Sequence, residues 1–382
     1  MTQQVYLDSG ALDRLETILK ELHPRSIFLV TGKTSFSSSG AKSRLTGILA
    51  PYRTVTFSDF SVNPKLSDVV AGIAEFQRSN ADLIIAVGGG SVLDIGKLVR
   101  ILAVQAEDPR LIVESNSGIE VKGRPLIAIP TTSGSGSEAT HFAVVYIDDT
   151  KHSLTHEFIL PDIAIVDPNL TENLPQEITA VSGMDAFSQA MESYWSIHST
   201  DASKADAAEA LALCRDNLAR VFEDPSPESR QAMSRASHLA GRAINVTKTT
   251  APHALSYTIT TRFGIPHGHA VGVTLGEFLR FNAGVTDHDV NDSRGRNHVS
   301  AAIGEILSII QVPTLDVGVR LIRDLMNSIG LQPVPDVLTM DAAVSVEVIC
   351  RGINLDRLSN NPRKITTEQL HTMILSLLSS VN

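Results

Sequence analysis

Over roughly its first 170 residues, the chain alternates between short apolar runs and amphipathic segments with helical spacing. The apolar runs are rich in β-branched residues, which is typical of strands that are buried in a sheet. Strands that alternate with helices predict a parallel sheet with helices on both of its faces. The predicted strands cover 26–31, 52–57, 82–87, 125–130, 142–147 and 162–167, and the predicted helices between them cover 10–21, 66–79 and 91–105.

The remainder of the chain carries amphipathic helical patterns and no strand signal. Because 382 residues exceed the usual size of a single hydrophobic core, we predict two domains, residues 1–170 and 171–382. The predicted fold class is α/β, with an N-terminal Rossmann-like parallel-sheet domain and an all-α C-terminal domain. The C-terminal helices are predicted at 177–196, 201–222, 228–247, 251–263, 268–282, 298–310, 317–328, 341–350 and 367–379.

Composition narrows the class of protein. The formal net charge is -10 and the sequence has no basic cluster, which argues against binding to nucleic acid. No apolar run is long enough to span a membrane, and the N-terminal segment MTQQVYLDSG does not resemble a signal peptide. The two cysteines, Cys214 and Cys350, cannot form a disulfide framework. We therefore expect a cytoplasmic protein that acts on a small molecule.

Two glycine-rich segments directly follow predicted strands. In residues 81–97, ADLIIAVGGGSVLDIGK, an apolar run ends in three glycines and a helical pattern begins. Residues 125–140, PLIAIPTTSGSGSEAT, repeat this arrangement with small and hydroxyl-bearing residues. Glycine permits close approach of the backbone to a phosphate, and free N–H groups point outward at a helix start. The pair predicts a pyrophosphate site at the carboxyl edge of the sheet, although each segment alone could be an ordinary turn.

Four residues of the helical half could together bind a metal ion. Asp185 and Gln189 are four residues apart and would share one helix face, while His253 and His267 come from later segments. Carboxylate and imidazole are good ligands for zinc or ferrous iron, and the Gln carbonyl is a weaker, neutral donor. Gln189 could instead hydrogen-bond a neighbour, with water in its place, and either histidine alone would be unremarkable.

Five motifs, in this order along the chain, resemble those of the iron-containing (group III) alcohol dehydrogenase family. The resemblance covers nearly the whole chain, and it implies a dehydroquinate synthase-like fold and a metal-dependent NAD(P)H-linked alcohol dehydrogenase or aldehyde reductase. The motifs are GGGSVLDIGK (family pattern GGGS-x-x-D-x-x-K), PTTSGSGSEAT (PTT-x-G-t-GSE-x-T), GMDAFSQAMESY (GMDA-x-x-H-x-x-E), PHALSY and IPHGHAVGV.

The chain departs from the family pattern at two positions. Gln189 stands where the family usually has His, and Tyr257 stands where many members carry a further His. The combination of Gln189 with the runs ESYWS, NVTKTTAPHALSY and GIPHGHAVGVTLGEF is most similar to the phosphonoacetaldehyde reductase branch. That branch reduces an aldehyde carrying a phosphonate group to 2-hydroxyethylphosphonate.

The resemblance also implies roles for individual residues. Asp185, Gln189, His253 and His267 would bind a divalent metal, Fe²⁺ or Zn²⁺, with Mn²⁺ and Ni²⁺ as alternatives. The cofactor NAD(P)H would lie in the first domain, and the metal and substrate in the second. The residues expected to bind the cofactor are Gly32, Asn63, Gly89, Gly90, Ser91, Asp94, Thr131, Thr132, Ser135 and Lys151.

Among these, Gly32 bears on the choice of cofactor. NAD-preferring relatives have an Asp in this segment, which binds the adenosine ribose and repels a 2′-phosphate. Here the segment reads LVTGKTSFSSS, so the carboxylate is missing, and Lys33 and the nearby serines could accept a phosphate. We expect NADPH to be accepted.

A phosphonate substrate needs specific cations, because the chain is acidic overall. The candidates are Lys248, Arg262, Arg357 and Arg363, each of which could equally be a surface charge. Lys248 is the first choice, since it lies in the run NVTKTTAPHALSY. His269 is a candidate for delivering a proton to the product.

Three alternative functions remain open at this stage. The chain could reduce ordinary short aliphatic aldehydes, it could be a lyase of the dehydroquinate synthase type, or it could bind a cofactor without a metal. Because homodimers are the commonest oligomers of soluble proteins, we expect a homodimer.

Overall fold

The structure, a computed structural model, describes residues 3–148, 150–353 and 355–379, except for the side chain of residue 356. They pack into two compact units. The first contains the residues up to Pro175 together with Ser226–Gly241. The second contains Gln176–Pro225 and the residues from Arg242 onward.

The first unit is built on a parallel sheet. The strands of this part of the chain are β1 (Gln4–Leu7), β2 (Ser26–Thr31), β3 (Arg53–Phe57), β4 (Leu83–Gly88), β5 (Leu126–Pro130), β6 (Phe142–Ile147), β7 (Thr150–Thr155) and β8 (Ile163–Val166). Six of them form the parallel sheet, in the order β1-β8-β5-β4-β2-β3. The other two, β6 and β7, form a separate antiparallel hairpin.

Helices cover both faces of this sheet. Because side chains alternate along a strand, neighbouring residues of β2 enter different cores: Phe28 lies in one apolar cluster and Leu29 in the other. Every residue of β4 and β5 is buried, as expected for central parallel strands. The helices of this part are α1 (Arg14–Leu22), α2 (Ser35–Ser38), α3 (Ala41–Leu49), α4 (Leu66–Ser79), α5 (Gly90–Leu102) and α6 (Pro109–Ser115).

Among the described residues of the second unit, the regular secondary structure consists of helices. Its central element is α7, which is buried almost continuously from Gly183 to Trp195 and packs against α8 and α11. The helices from here on are α7 (Gln176–Trp195), α8 (Asp201–Glu223), α9 (Pro227–Thr247), α10 (Ala251–Phe263), α11 (His267–Ala283), α12 (Arg296–Ile309), α13 (Leu315–Ser328), α14 (Asp336–Thr339), α15 (Ala342–Arg351), α16 (Leu355–Leu358) and α17 (Thr367–Ser379).

The predicted α/β fold class is confirmed, and the nine predicted C-terminal helices are present to within about two residues at each end. The run 142–147 is a strand, but it forms the β6–β7 hairpin instead of joining the parallel sheet. Strands β1 and β7 and helices α2, α3, α6, α14 and α16 were not predicted. Among the described residues, no helix is both long enough and apolar enough to cross a membrane.

Candidate active site

The two glycine-rich loops meet at the carboxyl edge of the sheet, where β4 and β5 end side by side. The backbone N–H of Thr131 donates to the carbonyl of Gly88 at 3.0 Å. A Cβ placed on Gly90 would lie 2.9 Å from Ser135 Oγ, and one on Gly89 would lie 3.3 Å from Thr132 Cγ2. The two loops therefore adjoin at the first turn of α5, where free backbone N–H groups could meet a phosphate.

Polar groups surround these loops. The backbone N–H of Asn63, a residue in the left-handed conformation with φ 61, donates to Ser91 Oγ at 3.3 Å. Thr131 is buried, and its Oγ1 has no hydrogen-bond partner among the described residues. Because buried hydroxyls are normally paired, Thr131 Oγ1 is suited to meet a ligand atom.

Asp94 lies one turn into α5 and is held from two directions. Its Oδ1 accepts a hydrogen bond from Ser137 Oγ at 2.7 Å, and its Oδ2 accepts from the backbone N–H of Val144 at 3.1 Å. Burial raises the pKa of Asp94, and the nearby Lys97 and Lys151 oppose this shift. The β6–β7 hairpin, which contains Val144 and Lys151, thus contributes to the surroundings of Asp94.

Lys97 belongs to the same network but was not singled out from the sequence. Its Nζ is completely buried and donates to Ser137 Oγ and Thr140 Oγ1, both at 2.9 Å, and to the carbonyl of Phe142 at 3.0 Å. Burial lowers the pKa of Lys97 to about 8. The D-x-x-K spacing was the available signal, since it places Lys97 on the same helix face as Asp94.

In the segment that follows β2, Gly32 lies close to Ser35, and the next residue, Lys33, is a cation. A Cβ on Gly32 would overlap Ser35 Oγ and would lie 3.7 Å from Val92 Cγ2 in α5. Lys33 Nζ lies 2.7 Å from Asp59 Oδ1, and both side chains are exposed. Lys33 therefore already has an acidic neighbour, which an incoming phosphate would have to compete with.

Three of the four predicted metal ligands converge in the second unit. Asp185 lies on α7, His253 in the first turn of α10, and His267 is the first residue of α11. Each offers one ligand atom, and these three atoms all lie within 4.8 Å of one another. Gln189, one turn after Asp185 on α7, is buried, and its Oε1 has no partner among the described residues.

A glycine allows the ligand helices to approach each other. A Cβ on Gly268, the second residue of α11, would overlap the carbonyl oxygen of Val181 and would lie 3.0 Å from Asp185 Cβ. Only glycine therefore fits between the start of α11 and α7. This close approach brings His267 beside Asp185.

Glu192 orients His253 and was not singled out from the sequence. Its completely buried carboxylate accepts hydrogen bonds from the backbone N–H of Thr250 at 2.7 Å, the backbone N–H of His253 at 3.1 Å, and His253 Nδ1 at 3.0 Å. A carboxylate oxygen accepts, so we assign the proton to Nδ1, which points Nε2 at Asp185 Oδ1, 3.3 Å away. The signal in the sequence that could have indicated Glu192 is its spacing of seven residues from Asp185, which places both side chains on one face of a helix.

Burial and charge act in opposite directions on His253. Desolvation lowers its pKa, but Glu192 and Asp185 outweigh burial and raise the pKa to about 10. A cation bound at Nε2 would take the place of the proton there. Beside it, the ring of Tyr257 stacks on His267 with ring centroids 6.0 Å apart.

The other predicted side chains lie in varied surroundings. His269 Nε2 donates to the carbonyl of Gln332 at 2.7 Å, and burial lowers the pKa of His269.

The four candidate cations for a phosphonate differ in exposure. Lys248 is exposed, directly follows α9 and has φ 57. Arg363 pairs with Asp289 at 2.8 Å and stacks over Phe281, so its charge is already engaged. Arg262 is exposed, and Arg357 is buried.

Family models match both parts of the chain. The model described as "Iron-containing alcohol dehydrogenase" matches residues 2–168, and "Fe-containing alcohol dehydrogenase family, C-terminal" matches residues 179–378. The chain belongs to the iron-containing alcohol dehydrogenase family. Like other members of this family, it is an oxidoreductase that acts on CH–OH groups, which confirms the family and the class of reaction predicted from the motifs.

Several known proteins are similar to this chain over most of their length. A phosphonoacetaldehyde reductase of Streptomyces viridochromogenes is 34% identical over 344 residues, which cover 87% of this chain and 85% of that protein. Long-chain-alcohol dehydrogenase 1 of Geobacillus thermodenitrificans is 35% identical over 271 residues, 70% of this chain and 68% of that protein. The crystal structure of sulfoacetaldehyde reductase from Bifidobacterium kashiwanohense, in complex with NAD⁺, is 30% identical with a TM-score of 0.89, covering 99% of this chain and 97% of that one.

The cluster on α7, α10 and α11 suits the divalent metal that the family name implies. One carboxylate and two imidazoles are ligands that zinc and ferrous iron accept. The decisive observation is Gln189 Oε1, a buried oxygen with no hydrogen-bond partner in the part of the chain that the structure describes, which a cation could satisfy. Glu192 supplies the hydrogen bond that metal-binding histidines commonly make through their second nitrogen.

Replacing Gln189 by His tests whether the amide oxygen is a metal ligand. Imidazole is a stronger donor than a neutral amide, so we expect Gln189→His to bind Zn²⁺ about tenfold more tightly than the wild type. The dissociation constant is measured by competition with a chelator, and His267→Ala, which removes an imidazole, calibrates the opposite direction. An unchanged dissociation constant would place Gln189 outside the ligand set.

A second prediction concerns the orientation of His253. Glu192→Gln weakens the acceptor of the His253 Nδ1 proton, so we expect metal affinity to fall about 10- to 100-fold. The control is Glu277→Gln, which changes a partly buried carboxylate of the same unit that pairs with Arg280 and Arg323. Equal metal affinity in the two variants would show that Glu192 does not act on the cluster.

Proposed function

We propose that this chain is a metal-dependent NAD(P)H-linked reductase of phosphonoacetaldehyde, with 2-hydroxyethylphosphonate as its product. The observation that carries the proposal is the similarity to the Streptomyces phosphonoacetaldehyde reductase, at 34% identity over 87% of this chain. The sulfoacetaldehyde reductase structure supports the same substrate class, because sulfoacetaldehyde is also a two-carbon aldehyde with an anionic tetrahedral head group.

The loops of the first unit are proposed to bind the cofactor, which supplies the hydride to the carbonyl carbon. The backbone at Gly89, Gly90 and Ser91 can approach a pyrophosphate, and the start of α5 presents N–H groups to it. Thr131, Thr132 and Ser135 belong to the adjoining loop, which follows β5. Asp94 is fixed by Ser137 and Val144, so its carboxylate has a defined orientation, and it is proposed to contact the nicotinamide amide.

Asp185, Gln189, His253 and His267 are proposed to hold the metal, and a bound divalent cation supplies Lewis acidity for the carbonyl oxygen. Of these side chains only Asp185 contributes a formal negative charge, since amide and imidazole are neutral donors. Glu192 keeps His253 in one tautomer and orientation. His269 stays a prediction as the proton donor, and its Nε2–H is already donated to the Gln332 carbonyl.

Reduction of an uncharged aldehyde is the second candidate. It is favoured by the 35% identity to a long-chain-alcohol dehydrogenase. Comparing phosphonoacetaldehyde, sulfoacetaldehyde and propanal as substrates of the purified protein, with NADH and with NADPH, separates the two candidates. A wild-type enzyme that is indifferent to the anionic group would contradict the phosphonate proposal.

The proposed enzyme is a cytoplasmic homodimer. Among the described residues both cysteines are free, which agrees with a reducing compartment. Sedimentation of the purified protein tests the dimer.

Gly32→Asp tests the cofactor preference. A carboxylate at this position would repel a 2′-phosphate, so we expect the ratio of kcat/KM for NADPH to that for NADH to fall about tenfold. Gly32→Ala is the matched control, because its Cβ meets the same Ser35 hydroxyl without adding charge. Equal ratios in the two variants would mean that the discriminating residue lies elsewhere.

Lys248→Ala tests the recognition of the phosphonate. Loss of one charged contact costs about 1.5–3 kcal/mol, so we expect KM for phosphonoacetaldehyde to rise roughly 10- to 100-fold, with little change for propanal. Both residues carry a Cβ, so the positive φ strains the variant no more than the wild type. Arg320→Ala, which removes another exposed cation of the same unit, is the control. Equal effects on charged and uncharged aldehydes would remove Lys248 from the phosphonate site.

A further inference from the structure

One face of α9 supports the loop that follows β5. Ser234 Oγ lies 2.9 Å from Ser133 Oγ, and His238 Nδ1 lies 3.1 Å from Glu138 Oε1. Gly241, three residues further on, meets the loop backbone so closely that a Cβ on it would lie 2.8 Å from Gly136 Cα. Residues spaced by four and three share a helix face, so α9 presents one continuous contact surface to residues 133–138.

The same loop is held by α5 on its other side. Ser135 Oγ approaches Gly90 at the first turn of α5, and Ser137 Oγ donates to Asp94. Lys97 Nζ donates to Ser137 as well. Residues 133–138 are therefore clamped between α5, which carries the proposed pyrophosphate and nicotinamide contacts, and the first part of α9.

His238 and Glu138 form a buried acid–base pair on the α9 side of this clamp. Their exposed fractions are 3% and 2%, so the carboxylate is removed from water. Its Oε1 is an acceptor, and we therefore assign the donor role to His238 Nδ1. A buried carboxylate without a donor is costly, so the conformation that keeps the pair together is strongly preferred over others.

We propose that His238 is a positioning residue for the nicotinamide cofactor. By holding Glu138, it fixes the adjacent Ser137, whose hydroxyl orients Asp94. This inference rests on the proposed NAD(P)H binding at these loops. Nothing in the sequence motifs points to His238, because the residue lies in a helix outside all five.

The alternative is that the pair only stabilises the fold. A purely structural pair would lower the melting temperature when broken, and the folded variant would bind the cofactor with unchanged affinity. A positioning pair would weaken cofactor binding in protein that is still folded and still binds metal. Cofactor affinity measured well below the melting temperature therefore separates the two roles.

The test is the dissociation constant of NADH and of NADPH for metal-loaded His238→Leu, measured by the fluorescence of the reduced nicotinamide. We expect it to rise about tenfold or more, with the Zn²⁺ affinity and the KM for the aldehyde at saturating cofactor within about twofold of wild type. The dissociation constant of His238→Gln, which keeps an N–H donor, should lie between those of His238→Leu and the wild type. His23→Leu, which changes an exposed histidine at the end of α1, is the control.

If His238→Leu does not fold, the same cofactor-binding test is made on the double variant Glu138→Gln/His238→Leu. This variant removes the buried charge together with its partner, so it is less destabilised than the single variant. The double variant should also bind cofactor about tenfold more weakly, since the clamp is lost. Wild-type cofactor affinity in a folded variant of either kind would overturn the proposal. A wild-type protein that binds neither NADH nor NADPH would instead overturn the proposed function, so the two failures are distinguishable.

Discussion

The candidate metal centre depends on one completely buried carboxylate. Glu192 accepts three N–H groups, two from the backbone at the start of α10 and one from the His253 ring. A buried charge of this kind is tolerated only when its hydrogen bonds are satisfied, so it binds the first turn of α10 to α7. The orientation of His253 therefore depends on the hydrogen bonds that the protein supplies to Glu192. Removal of any one of these donors would leave the buried carboxylate with an unsatisfied hydrogen-bond acceptor.

The rest of the cluster follows from α7. Asp185, Gln189 and Glu192 are spaced by four and three residues, so one helix face presents a potential ligand, a neutral donor and an orienting group. The absence of a side chain at Gly268 lets α11 approach that face and bring His267 into the cluster. Glu192 thus joins α10 to α7, and Gly268 lets α11 approach α7. Neither of these two residues is itself proposed as a metal ligand.

Much of this arrangement could be predicted from the sequence because its signals are local. Helical periodicity gave the C-terminal helices, and the glycines after β4 marked the loop. The residues that were missed act over long distances: His238 and Lys97 contact Glu138 and Ser137 across 100 and 40 positions. No local pattern reveals such a partner. The hairpin was missed for the same reason, since the pattern of β6 does not show whether it pairs with β5 or with the strand that follows it.

Lys97 illustrates a chemical hazard of handling aldehydes. A primary amine with a pKa lowered to about 8 is a better nucleophile at neutral pH than an ordinary lysine, and amines condense with aldehydes to imines. Here the Nζ is completely buried, and its three protons are donated to Ser137, Thr140 and the Phe142 carbonyl. The fold can therefore keep a lysine with a lowered pKa close to Asp94 as a fully hydrogen-bonded ammonium, which has no lone pair to attack a carbonyl compound.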